Sequence, residues 1–146
     1  MDIRKILVGS DFSDSSEKAV RWAVDLAKER EAQVLLLHVI QPPAYPPMMG
    51  GLMDPSQYEA GLRQDADRRL KEIAAKEKGV RLETRLLTGD PSVDICEVAQ
   101  KEGVDLIVVG SHGRTGASRL LIGSVAERVV RHAPCAVLVV GRKVRG

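Results

Sequence analysis

At 146 residues the chain has the size of one domain, which hides about 70% of its unfolded surface without needing disulfides or metal staples. Its 22 basic and 20 acidic residues leave a net charge of +2, too balanced for a dedicated nucleic-acid binder, and one Phe, one Trp and two Tyr offer no platform for stacking bases. No apolar stretch approaches the ~18 residues of a membrane span and the first residues lack a signal-type apolar core, so the expectation is a cytoplasmic protein with neither nucleic-acid nor membrane partners.

Strand-length apolar runs alternate with helix-length amphipathic segments, as in a parallel sheet with crossover helices. Ile3 to Gly9 is the first strand. A helix follows from Asp14 to Arg30, opened by Asp14 and Glu17 in capping-box spacing, with Val20, Ala23, Val24 and Ala27 in one stripe. Gln33 to Val39 is the second strand. Residues 41–56 carry five prolines and two adjacent glycines, which forbid regular structure and predict a flexible loop, either a lid or partner contact or simple disorder. The second helix begins near Gln57, presents Leu62, Ala66, Leu70 and Ile73 on one face, and is ended by Gly79.

Arg81 to Leu87 is the third strand. Asp90 as N-cap and Pro91 at the first helical position start a third helix that ends at Gly103. Asp105 to Val109 is a fourth strand, apolar enough to be buried on both faces. A helix from Ala117 to His132 and a strand from Ala136 to Val140 complete five strands and four helices in one domain, 1–146. Cys96 and Cys135 have no metal or redox spacing and read as small buried side chains of a reducing compartment.

The chemistry concentrates after the fourth strand, where Gly110, Gly113, Gly123 and Ser124 fall in the spacing G-x2-G-x9-G-[S/T]. Backbone N–H groups wrap a phosphate only where no Cβ blocks approach, and a serine hydroxyl adds a donor. The spacing matches neither the dinucleotide fingerprint nor the lysine-containing phosphate loop. A plain turn is the alternative, but Gly123 and Ser124 interrupt a helical segment, where glycine costs ~1 kcal/mol relative to alanine. Asp11 follows the first strand and reads equally as a cap or a ligand residue. In a sheet of order 3-2-1-4-5 the crevice at the switch point lies between strands 1 and 4, which would bring Asp11 and the glycine loop together. His112 lacks an identifiable activating partner and reads as backbone-positioned, so no catalytic residue and no metal ligand set is assigned. Arg114 supplies charge-assisted donors beside the loop unless it points to solvent.

Asp11, Phe12 and Ser13, then Leu37, His38 and Val39, then Gly110 to Gly113, then Gly123, Ser124 and Val125, and finally the run from Pro134 to Val140 make the chain similar to the universal stress protein family over nearly its whole length. The resemblance implies an α/β fold, a doubly wound five-stranded parallel sheet of order 3-2-1-4-5 with helices on both faces. It also implies binding of ATP, or of AMP or ADP, with Mg or Mn. By matching position Asp11 would meet the ribose with Ser10 beside it, and Val39 would meet adenine through its main chain. Gly110, Gly113, Gly123, Ser124 and Val125 would surround the phosphates, with Val109 and Arg114 completing the set. A homodimer through the uncharged last strand, Ala136 to Val140, is implied as well. Three functions stay open: a nucleotide-binding stress-response regulator or sensor, a slow Mg-dependent ATPase or phosphotransfer enzyme with a metal near Asp11, and a ligand-free dimeric interaction protein.

Overall fold

The computed structural model describes residues 1–42, 54–113 and 121–141. In chain order they form β1 (Lys5–Gly9), α1 (Asp14–Arg30), β2 (Gln33–Ile40), α2 (Pro55–Lys76), β3 (Arg81–Thr88), α3 (Pro91–Lys101), β4 (Leu106–Gly110), α4 (Ser124–His132) and β5 (Ala136–Val140). All four strand pairings are parallel and the order is β3-β2-β1-β4-β5, as the resemblance implies. The central strands are apolar without alternation because helices cover both of their faces. Ile6, Val8, Leu36, Leu106 and Val108 pack with Ala19, Val20, Ala23, Val24 and Leu70 of α1 and α2. Leu7, Leu35, Leu37, Ile107 and Val109 pack with Ile95, Ala99, Ala126 and Val129 of α3 and α4.

Several boundaries depart from expectation, each for a local reason. The cap of α1 is Ser13, not Asp14: its hydroxyl accepts from Ser16 N, leaving Asp14 and Glu17 inside the first turn, where negative charge complements the helix dipole. Helix α2 starts at Pro55, with Asp54 as its cap, because proline is suited to a first helical position whose N–H has no partner to lose. Among the described residues the last helix starts at Ser124, with Leu121 and Ile122 outside it. Gly123 is therefore an N-cap and not a helix-interior glycine, so the ~1 kcal/mol interior penalty does not apply. The expected start at Ala117 and Arg114 lie outside the described residues, as do residues 43–53 of the proline-rich loop.

Cys96 and Cys135 are free thiols and only partly buried, packed against the α3/α4 side of the core. That burial pushes both thiols above their ordinary pKa. Opposite, at the lower end of the sheet, the Asp105 carboxylate accepts from the N–H groups of Arg4 and Lys5 and so ties β1 to β4. Glu102 takes both guanidinium arms of Arg85 and the Lys5 ammonium.

Candidate functional site

The carboxyl ends of β1 and β4 lie side by side, with Val8 in register with Val108, and the segments that follow them turn toward each other. After β1, Ser10 N–H reaches back to Leu37 O, and the Asp11 carboxylate accepts from Ser13 N at 2.9 Å, fixing a short Asx turn. Phe12 between them has φ +66°, the left-handed region, which costs a non-glycine residue about 1–3 kcal/mol. After β4, Ser111 Oγ and His112 Nδ1 lie 2.7 Å apart, and His112 N–H donates to Ser15 Oγ at 3.3 Å.

The glycines of the motif do different things. A Cβ on Gly110 would stand 2.5 Å from Ser15 Oγ and 2.8 Å from Ser15 C, so this glycine admits the first turn of α1 against the end of β4. On Gly113 a Cβ would stand 3.2 Å from Asp11 Oδ2, which brings the two expected halves of the site into contact. On Gly123 it would meet Ser111 O at 3.2 Å and Gly113 N at 3.5 Å, while Gly123 N–H donates to Ser111 O. Asp11, Gly113, Gly123 and Ser124 therefore cluster at the switch point. The α4 N-terminus in that cluster has no side-chain cap, whereas Ser13, Asp54 and Asp90 cap α1, α2 and α3. Its first-turn N–H groups and the positive end of its dipole are the donors an anion needs.

Val39 and Val109 are buried core side chains, so only their main chain can serve a ligand. Ser10 is buried and engaged, its hydroxyl accepting from Phe12 N and lying 3.3 Å from Ser16 Oγ. Ser124 is exposed and Val125 is half-buried beside it. Among the described residues no group of three His, Cys, Asp or Glu side chains could hold a metal. A divalent ion would depend on ligand oxygens for most of its coordination, with Asp11 the carboxylate at hand.

Four further residues shape this region, although none was expected to contact a ligand. Ser15 braces His112. His38 donates from Nδ1 to Ser10 O at 2.6 Å, its ring packs on Phe12 with centroids 4.3 Å apart, and the Arg69 guanidinium of α2 stands 5.2 Å over the Phe12 ring. Each depends on a partner far away in sequence, which no local spacing reveals. Beyond Phe12 a groove of about 280 Å³ runs between α1 and α2, bordered by Ser13, Ser16, Arg69 and Ile73.

The domain is a doubly wound α/β sheet with the uncapped N-terminus of α4 and Gly110, Gly113 and Gly123 at its switch point, the place where open sheets of this kind form a crevice beyond the carboxyl ends of their strands. The universal stress protein family model matches residues 2–141, and the chain belongs to that family. It is 40% identical over 139 residues to the universal stress protein MJ0531 of Methanocaldococcus jannaschii, covering 94% of this chain and 81% of that protein. The solved structure of MJ0577 from the same organism superposes with a TM-score of 0.80 at 30% identity, covering 99% of this chain and all of that one. A universal stress protein solved in complex with cAMP is 30% identical at a TM-score of 0.64, covering 97% and 98% of the two chains. One from Archaeoglobus fulgidus in complex with dAMP is 27% identical at the same TM-score, covering 96% and 99%.

Proposed function

We propose that this chain binds an adenine nucleotide, ATP or its AMP and ADP relatives, at the switch point and works as a regulatory or sensor module. The bare N-terminus of α4 carries the reading: it abuts Gly113 and Ser111, shares the crevice with Asp11, and is the one described helix start without a side-chain cap. That relatives have been solved with cAMP and dAMP supports adenine nucleotides as the ligand class. In this reading Ser124, Val125 and the glycine loop donate to phosphates, together with Arg114. Asp11 takes the ribose beside Ser10, and the main chains of Val39 and Val109 line the base side. Mg or Mn would arrive with the phosphates.

The same reading includes a homodimer through β5, which lies at the sheet edge with Val137, Leu138 and Val139 half-buried and no charge, proline or bulge to guard it. Mass spectrometry of ligand released from the purified protein, followed by calorimetric titration of ATP, ADP and AMP, tests the central claim. Failure to bind any of the three refutes it. Phosphate release with ATP and Mg²⁺ would move the protein to the slow-ATPase reading.

A further inference from the structure

We propose that Phe12, clamped between His38 and Arg69, is the residue that sets Asp11 in place for the ligand, a positioning role that rests on the nucleotide reading above. Asp11 has no regular secondary structure of its own to hold it: it lies between the end of β1 and the cap of α1. Its carboxylate is aimed by the turn over residues 10 to 13, and that turn exists only while residue 12 keeps φ +66°. Glycine adopts this conformation freely, whereas an L side chain resists it. An aromatic residue there must be held, and three contacts hold this one. Phe12 N–H donates to Ser10 Oγ at 3.1 Å, the His38 ring packs on the Phe12 ring, and Arg69 stands over it.

Both clamps are themselves fixed. The carbonyl of Ser10 anchors His38 on β2, and Asp65 pairs with Arg69 one turn earlier on α2, at 3.3 Å. The groove between α1 and α2 leaves space beside the ring, so a released Phe12 has somewhere to go. If it goes, φ of residue 12 relaxes and the Asp11 carboxylate leaves Gly113. One loop thus holds a strained residue, a stack reaching it from two distant elements, and a carboxylate beside Gly113. The clamp also links α2, outside the crevice, to affinity within it.

The test uses the full chain. Apparent affinity scales with the fraction of molecules whose site is formed, so Phe12→Gly, which removes both strain and ring, should weaken ATP binding about threefold to tenfold. Arg69→Gln should weaken it about twofold to fivefold, with a melting temperature close to wild type, since Arg69 is exposed. Phe12→Tyr keeps the ring and should bind as wild type does. In an Asp11→Ala background, Phe12→Gly should cost nothing further, because a residue that acts only through Asp11 has nothing left to position. Additive losses, or wild-type affinity in both Phe12→Gly and Arg69→Gln, would overturn the proposal.

Exchange of the Ser13 amide, whose hydrogen bond to Asp11 Oδ1 reports the turn without ligand, separates the two claims. It should quicken in both variants. A wild-type chain that binds no adenine nucleotide would sink the nucleotide reading. Unchanged Ser13 exchange would sink the clamp, whatever the chain binds.

Discussion

Replacing Gly110 by alanine should damage the fold itself, not only a phosphate loop. The new Cβ would stand 2.5 Å from Ser15 Oγ, 2.8 Å from Ser15 C and 2.9 Å from Ser15 O, against ordinary carbon contacts of about 3.5–4.0 Å. Rotating Ser15 relieves only the first of these. The other two are backbone, so the first turn of α1 must retreat by about 1 Å from β4. Overpacking of this kind costs about 1–3 kcal/mol, and the upper end applies where backbone must move. For a domain of this size each kcal/mol lowers Tm by about 2–4 °C, so Gly110→Ala should melt about 6–12 °C below wild type in calorimetry without nucleotide. Removing the hydroxyl in a Ser15→Ala, Gly110→Ala double variant should restore only a minor part. Gly113→Ala meets a side-chain atom alone, at 3.2 Å, and should stay within about 1 kcal/mol of wild type. A Gly110→Ala protein that melts within about 2 °C of wild type would refute the steric reasoning.

Gly123→Ala keeps an allowed backbone, φ −63° and ψ 154°, but crowds Ser111 O and trades a good cap for a poor one. It should lose about 1–2 kcal/mol of stability and, in calorimetric titration, at least about tenfold in ATP affinity. Glu102→Gln removes the carboxylate that the Arg85 guanidinium holds below the ordinary glutamate range. Because folding lowers that pKa, the ion pairs stabilise fully above the ordinary value and the contribution is lost as pH falls through the depressed one. The variant should thus be less stable by about 1–2 kcal/mol near neutrality, and the gap should close in melts run in strong acid. Ala136→Lys places a charge on an exposed position of β5 and should convert a dimer to monomer in light scattering coupled to gel filtration. A dimer that persists unchanged puts the interface elsewhere.

The strands were legible because burial on both faces leaves an unmistakable apolar run, as in Leu106 to Val109, whereas their order was implied only by the family resemblance. Asp90 and Pro91 announced α3 for the same kind of reason: cap chemistry is local. Where two chemistries compete locally the sequence does not decide between them, as at Ser13 and Asp14, both competent caps one residue apart. Gly123 reads from the sequence as a helix interruption because a glycine cap and a glycine interruption look alike without the chain path. Gly110 showed that a motif glycine can answer to a neighbouring helix, a fact carried by Ser15 about a hundred residues earlier. Phe12 belongs to the stretch that carries the resemblance, but nothing signals its left-handed backbone, since that region favours glycine, asparagine and aspartate. Its stabilisers, His38 and Arg69, are brought to it only by the finished fold.

The β1 to β4 pairing also has a consequence for how the chain is made. Ile6, Leu7 and Val8 pair with Leu106, Ile107 and Val108, so the strand synthesised first waits for one emerging late. Asp11 belongs to the early part of the chain, Gly113 and Gly123 to the late part, and the crevice is the seam where the two are stitched. A truncated chain has no seam, and one whose parts have come ajar has lost it. A small molecule straddling the seam would fasten it, contributing RT ln(1 + [L]/Kd) to the closed form alone. Occupancy would then certify a complete and properly shut molecule, a quality mark written by the ligand on the protein that holds it.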